Sequence, residues 1–403
     1  MRDVGIVMPI YNQIPSYLQR ALKSVLEQIY PHFQLVIVID GANNKTIRVA
    51  KRVANKDPRV HWIVNKKNQG ITKALNSGFK WLMKDPHIRY LTWVSSDNFY
   101  YKKFISTLRR NLIQSPPQIG LVYSGFRHIK SNGKPAPEFN SSGLFKYQDR
   151  NKEQLLIDCF IGPSFMYKKT AASKIAGYRR NLEPVEDYDY WLRLTEHADI
   201  KYVAQYLMDY RVNSSHSISK RIKDSPSEYQ RWLNRFHQCK FEARFRRRLK
   251  PETTIIFSTL QSNKALLTYK SLLDQWYEDY RMLVLDHTPN HITSKHCRKT
   301  ENRRVRFLPC YGKNNKRTIR KLLPKIKTKF VFIYNSPGPV LHSKYLFNLT
   351  HFLNNRPSSI NATSPNKDEL SFVHENKNKL IVARRLVSNH LYRTSTLKRI
   401  HKI

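Results

Sequence analysis

Four short apolar runs, separated by helix-length amphipathic stretches, fill the first hundred residues and leave few folds open to them. VGIVMPI (4 to 10), LVIVID (35 to 40), VHWIV (60 to 64) and RYLTWV (89 to 94) each read as a buried strand. Between them Leu18, Ala21, Leu22, Val25 and Leu26 repeat at helical spacing, and Ile71, Ala74, Leu75 and Phe79 draw a second such face. Strands apolar on both faces that alternate with helices predict a parallel sheet covered on both sides. Ligands in such sheets sit beyond the carboxyl ends of the strands. Tyr11-Asn12, Asp40 and Asp97 all fall at those ends, so the pattern predicts one crevice that gathers them. At its centre is SSDN (95 to 98), which a turn explains as well as a delivered carboxylate does.

At 403 residues the chain has room for two domains. Its 40% hydrophobic and 12% aromatic content excludes wholesale disorder. Lys and Arg number 72 against 29 Asp and Glu, a net charge of +43. Such a field attracts polyanions: nucleic acid, an anionic membrane face, nucleotide-linked substrates or a phosphate-bearing polymer. No helix-turn-helix, zinc-finger spacing or RNP-like aromatic pattern points to specific nucleic acid. Cys159, Cys239, Cys297 and Cys310 are scattered, which predicts reduced thiols in a cytosolic protein. The N-terminus, broken by Pro9 and Pro15, has no signal-like apolar region, and no run approaches the roughly 18 apolar residues of a membrane span. The expected location is the cytoplasm, with peripheral contact at the inner face of an anionic membrane.

Two later stretches carry their own signals. EPVEDYDYWLRL (183 to 194) is an acidic island in which Glu186, Asp187 and Asp189 precede an apolar helix start, where carboxylates suit the helix dipole whether or not they do chemistry. SPSEYQRWLNRFHQCKFEARFRRRLK (225 to 250) opens with a capping box, Ser225 to Glu228, and Pro226 at the first helical position. Trp232, Phe236 and Ala243 recur on one side with arginines between. Such a helix lies on an anionic membrane or packs as a linker against the preceding domain.

Residues 251 to 403 restart the pattern. TTIIFST (253 to 259) resembles the first strand, and LKSVLEQIYPHFQLVIVID (22 to 40) is echoed by YKSLLDQWYEDYRMLVLD (269 to 286), with Ser24, Gln28 and Tyr30 matched by Ser271, Gln275 and Tyr277. KFVFIYNSPGPV (329 to 340) stands where YLTWVSSDNFYY stood, with Asn335, Ser336 and Pro337 in place of the Asp97 region. The expectation is a second copy that kept the scaffold and lost every carboxylate of interest.

VGIVMPIYN, VIVIDGANN, NQGITKALNSGF, SSDN, FIGPSFMYKK and EDYDYWLRL resemble, in order and spacing, the motifs of family 2 glycosyltransferases of the GT-A fold. The resemblance implies an α/β protein with a Rossmann-like, mainly parallel sheet: a catalytic domain over 1–219, a basic amphipathic linker helix over 220–250, and a degenerate, non-catalytic GT-A-like domain over 251–403. It implies an inverting, metal-dependent transfer of a sugar from a UDP-, GDP- or dTDP-linked donor to a hydroxyl of a bacterial surface polysaccharide, cell-wall glycan or anionic, lipid-linked acceptor. Pro9, Tyr11 and Asp40 match nucleotide-binding positions, with Lys73, Asn76 and Ser96 on the donor side. Asp97 matches the metal-binding aspartate for Mn²⁺ or Mg²⁺, hard cations that suit oxygen ligands. Asp187 matches the catalytic base, with Glu186 beside it. Where the family often places a metal-binding His after Y-R-x, this chain has Asn213, and His216 follows three residues on. The acids that usually flank the central aspartate are Ser95 and Asn98 here. The competing reading is a non-catalytic polyanion-binding protein on the same fold.

Overall fold

β1 (Val4–Ile10) is apolar on both faces and is buried between helical layers, with β2 (Phe33–Asp40) parallel to it and Met8 opposite Ile37. Between these strands runs α1 (Pro15–Leu26); α2 (Asn44–Ala54), β3 (Val60–Asn65), α3 (Ile71–Lys84) and β4 (Tyr90–Trp93) follow. Leu18, Ala21, Leu22 and Val25 of α1 meet Ile6, Met8, Leu35 and Ile37 in one core. On the other face α3 packs close because Gly78 lies on it: a Cβ there would come within 2.5 Å of Val7. The chain continues through β5 (Phe99–Tyr100), α4 (Phe104–Gln114), β6 (Ile119–Ile129), α5 (Gly143–Gln148), β7 (Phe165–Lys168), α6 (Lys169–Ala172), α7 (Glu186–Leu194), β8 (Asp199–Arg211), α8 (Ile218–Asp224) and α9 (Pro226–Arg246). The eight strands lie in the order β3-β2-β1-β4-β7-β6-β8-β5. The first four are parallel as expected; beyond them the sheet is mixed, because β7 runs antiparallel to both β4 and β6.

This computed structural model describes residues 1–136, 143–212, 217–259, 262–297, 304–310, 315–335, 343–355, 360–365, 370–374 and 390–400. The chain divides into two units, Met1–Arg247 and Arg248–Ile403. The expected linker helix is two helices, α8 and α9, broken at Ser225, whose hydroxyl accepts the Glu228 N–H that begins α9. α9 belongs to the first unit. It buries Leu233, Phe236, Cys239 and Ala243, and its Phe236 ring stacks on Tyr188 of α7 at 4.9 Å. That buried face packs within the first unit, while Tyr229 and Phe245 of the same helix are exposed. Among the described residues no helix is long and apolar enough to cross a membrane.

The second unit contains β9 (Thr253–Thr259), α10 (Ser262–Leu273), β10 (Tyr280–Asp286), α11 (Ile292–Cys297), β11 (Val305–Pro309), α12 (Asn315–Leu322), β12 (Phe330–Tyr334), α13 (Tyr345–Asn354), β13 (Ile360–Pro365), β14 (Leu370–His374), β15 (His390–Arg393) and α14 (Thr394–Ile400). Its sheet order is β11-β10-β9-β12-β15-β13-β14, with the first four strands parallel and β15 antiparallel to β12. The residues that echo one another in sequence also bond alike. Gln28 donates to the Ser24 and Tyr101 carbonyls (2.9 and 2.8 Å) and accepts the Ile105 N–H at the start of α4 (3.0 Å). Gln275 donates to the Ser271 carbonyl (3.2 Å) and accepts the Leu346 N–H at the start of α13 (2.9 Å). Tyr30 donates to Asp3 and Tyr277 to Glu252 (2.6 and 2.8 Å).

The expected loss of every carboxylate fails at Asp286. It closes β10 as Asp40 closes β2, is fully buried, and accepts the Thr288 and Ser294 N–H groups (3.0 and 2.7 Å). A carboxylate that satisfies buried backbone donors is part of the scaffold and stays with it. Ser336 and Pro337 lie outside the described residues.

Gln28→Ala should destabilise the chain by about 1–3 kcal/mol, the usual cost of a buried N–H or carbonyl left without its partner. Urea denaturation checks this against the exposed Gln230→Ala; equal midpoints for the two variants would remove Gln28 from any bracing role.

Candidate active site

The ends of β1, β2 and β4 are tied together by side chains. Asn12 accepts the Asn43 N–H (2.8 Å), and Gln13 donates through its side chain to the Ser96 hydroxyl (3.2 Å) and through its backbone to the Thr46 hydroxyl (3.2 Å). Tyr11 is exposed at this edge, whereas Pro9 sits within β1 opposite Val38. Asp40 is only 3% exposed. Its carboxylate accepts from the Asn65 amide (2.8 Å) and from the N–H groups of Gln69 and Gly70 (3.0 Å each). Gly70 holds φ +93°, a region that L-residues rarely adopt, and the chain turns there into α3. The Thr72 N–H, in the first turn of α3, goes to Glu183 (3.1 Å). Two carboxylates of the chain itself thus meet the α3 N-terminus, one on the Gly70 N–H and one on the Thr72 N–H. Lys73 is exposed on its first turn. The Asn76 amide faces the backbone of Tyr178, donating to its carbonyl and accepting its N–H (2.8 Å each), so its side chain latches α3 to the segment before α7.

The SSDN knot is more than a turn. The Ser95 N–H donates to the Tyr100 hydroxyl (2.7 Å), and the Ser95 hydroxyl donates to Asp97 (2.5 Å). Asn98 is buried and accepts the Arg211 N–H (3.0 Å). Arg211 then donates to the carbonyls of Asp97, Lys130 and Ser131 (3.1, 2.9 and 2.8 Å), its guanidinium 3.9 Å above the Tyr17 ring. Ser95, Asn98 and Arg211 fix the backbone and leave the Asp97 carboxylate half-buried in the crevice. Burial pushes that carboxyl up, against the pull of the Ser95 hydroxyl and the Arg211 charge. Among the described residues no three His, Cys, Asp or Glu side chains gather as a cation cage. The oxygen chemistry at Asp97 fits a hard cation that takes its other ligands from a bound diphosphate. His216 and Asn213 lie outside the described residues.

The acidic island divides by role. Asp189 is fully buried and paired with Arg179 and Arg193 (2.8 Å to the latter), and Arg179 also reaches Glu242 of α9 (2.7 Å). It is a brace. Asp187 is half-buried and accepts the N–H of the next residue, Tyr188 (2.7 Å). Glu186 is 6% exposed, and its Oε2 has no hydrogen-bond partner among the described residues. Burial raises both carboxyls above the usual range, and the charge of Asp187 adds to the rise at Glu186. Burial pushes the half-buried Tyr210 hydroxyl up, and the charges of Asp97 and Asp187 add to the rise, so both carboxylates lie within electrostatic reach of one hydroxyl. A separate open cleft of about 540 Å³, lined by Tyr101, Lys102, Lys103, Phe145 and Tyr206 among others, holds none of these acids.

Arg211, Gln13 and Glu183 were not singled out in the sequence. Arg211 lies in the Y-R-x signal read only for a following His, and Glu183 opens the acidic island; both act through backbone groups that sequence does not display.

The model of "Glycosyl transferase family 2" matches residues 5–176. An uncharacterized glycosyltransferase of Methanocaldococcus jannaschii is 26% identical over 244 residues, 59% of this chain and 81% of that protein. One from Rickettsia felis is 27% identical over 229 residues, 56% of this chain and 36% of its own length. Among solved structures, S. aureus TarS 1–349 in complex with UDP shares 15% identity over 59% of this chain and 65% of that one, with a TM-score of 0.42. The mannosyltransferase PcManGT from Pyrobaculum calidifontis, in complex with GDP-Man and Mn²⁺, shares 15% over 60% and 72%, with a TM-score of 0.44. The match gives the first unit a family 2 glycosyltransferase domain over residues 5–176, which supports a transferase enzyme.

Proposed function

We propose that the first unit transfers a sugar from a nucleoside diphosphate donor to an acceptor hydroxyl with inversion, Asp187 acting as general base. The observation that carries this reading is the state of Asp187: a half-buried carboxylate, raised in pKa by burial and bonded, among the described residues, to backbone N–H groups at its own helix start. A hydroxyl is a poor nucleophile until a positioned base takes its proton, and a base works best when its pKa lies near the working pH. Asp189 cannot serve, since two guanidinium groups hold it.

On the donor side, Tyr11, Pro9, Ser96 and Lys73 would meet the nucleotide sugar. Asp40 contributes by fixing the 65–70 loop, because the protein's own N–H groups fill its oxygens. Asn76 contributes by its latch on Tyr178. Asp97 would hold Mn²⁺ or Mg²⁺, which would offset the charge of the departing diphosphate. The acceptor we infer is a surface polysaccharide, glycan or lipid-linked glycan. The second unit, which repeats the order of the first four parallel strands and the glutamine brace without the acidic island, reads as a non-catalytic copy that binds an anionic acceptor or membrane.

Asp187→Asn should retain nucleotide binding and lose about 10²–10⁴ in transfer rate, measured with UDP-, GDP- and dTDP-sugars. The parent enzyme should lose activity as pH falls through a pKa above the ordinary carboxylate range, since the raised carboxyl of Asp187 is protonated below it. A parental rate in Asp187→Asn would move the base to Glu186.

Asp97→Asn should abolish stimulation of donor turnover by Mn²⁺ with the circular dichroism spectrum unchanged. An identical Mn²⁺ dependence in that variant would take Asp97 out of the cation site.

Sedimentation with anionic and neutral liposomes tests the role of the charge. Binding to anionic vesicles should be steeply weakened at 1 M salt, where the Debye length is about 3 Å against about 10 Å at 0.1 M. Equal binding to both vesicle types, or to neither, excludes the membrane version and leaves a soluble polymer acceptor.

A further inference from the structure

The open cleft of about 540 Å³ is lined by the rings of Tyr101, Phe145 and Tyr206 and by Lys102 and Lys103, and no acid is among its described lining residues. Its rings are held in place by the fold. The Tyr101 hydroxyl donates to Asp209, a buried carboxylate that also accepts two N–H groups of Arg127 (2.9 and 3.1 Å). Phe145 of α5 lies on β6 because Gly125 has no side chain: a Cβ there would come within 2.4 Å of the ring. The Phe145 ring then meets that of Tyr206 on β8, with centroids 4.6 Å apart. Both lysines are exposed.

The cleft also adjoins the crevice. Tyr101 stands four residues after Asp97, so their Cα atoms are at most about 14 Å apart. Along this segment Asn98 and Tyr100 are buried, whereas Phe99 and Tyr101 are half-buried and share the outer face of β5. Their rings lie 5.9 Å apart, and the Arg20 guanidinium is 4.6 Å from the Phe99 centroid. A row of rings with cations beside it thus leads from the Asp97 segment into the cleft.

We propose that this cleft is a subsite for an anionic sugar chain, the acceptor's extension beyond the crevice. The aromatic rings take the apolar C–H faces of the sugars, and Lys102 and Lys103 take their carboxylates or phosphates. The volume lies within the range of about 300–1,000 Å³ that ligand sites occupy. Two ammonium groups with no acid in the lining select an anion. Position and ring packing select a sugar chain over single-stranded nucleic acid. The cleft adjoins the crevice of a glycosyltransferase domain, and Phe145 and Tyr206 spend their facing surfaces on each other, where stacked bases need ring faces laid open in series. That the chain is the acceptor rests on the reading of the first unit as a transferase; the binding itself does not.

Oligogalacturonate, a pyranose chain with a carboxylate on each ring, is the probe, and no donor is needed. Reductive methylation of lysines in the full chain, read by mass spectrometry, locates it. Oligogalacturonate should protect Lys102 and Lys103 at concentrations where polyphosphate and oligo(dT) of equal charge, which report diffuse attraction to the basic chain, leave both reactive. Tyr206→Ala, and Lys102→Ala with Lys103→Ala, should each weaken oligogalacturonate binding by about tenfold, with the circular dichroism spectrum unchanged. Protection confined to other lysines, or equal protection by polyphosphate or oligo(dT), overturns the proposal. A parent that transfers no sugar from any nucleotide donor sinks the transferase reading, while the methylation pattern still decides what the cleft binds.

Discussion

Asp40 closes β2 with a carboxylate buried to 3% exposure, and at that depth a charge persists only if hydrogen-bond donors surround it. The donors are the Asn65 amide and the N–H groups of Gln69 and Gly70, so the carboxylate sets where the loop after β3 must pass and where α3 begins. The consequences run on through contiguous contacts. Glu183 closes on Thr72 in the first turn of α3, and one turn later Asn76 clasps the backbone of Tyr178. The next residue, Arg179, is the partner of Asp189. Through these steps the end of the second strand determines where the first turn of α7 stands, and with it Glu186 and Asp187.

The second unit separates scaffold from chemistry. Asp286 repeats Asp40 at the end of β10 and again takes up backbone N–H groups of the following segment. Gln275 repeats Gln28, joining one helix end to the start of another. These residues satisfy buried donors, and their loss would cost stability in any protein with this strand order. Asp97 and Asp187 satisfy almost nothing within the protein. Each carries a desolvation cost without a structural return, as expected of groups kept for a ligand.

Strands and helices were legible because they rest on periodicity: apolar runs in β1 and β2 and helical faces in α1 and α3 appear in the sequence as they do in space. The gathering of Asp40, Asp97 and Tyr11 followed from the rule that parallel strands present their carboxyl ends together. The sheet beyond β4 was not legible, since the direction of β7 depends on pairing across distant segments. Asn76 has the same signature whether it faces a donor or a neighbouring backbone, and only the fold shows the second. Arg211 is one among many basic residues; what distinguishes it is burial against the carbonyls of Asp97, Lys130 and Ser131, which composition hides.

The raised carboxyls of α7 seem at odds with a chain of net charge +43, since an excess of cations should favour ionised acids. Distance resolves the tension. Surface charges farther away than about 10 Å are screened at ordinary salt, whereas desolvation acts on the group itself and is not screened. Near α7 the cations are mostly committed: Arg179 and Arg193 to Asp189, Arg246 to Glu196, Arg231 to Glu228. Each committed pair is close to neutral beyond its own contact, so the local balance at Glu186 is set first by burial and then by Asp187. A strongly basic chain thereby keeps a pair of weak acids, because water and salt separate the distant cations from them.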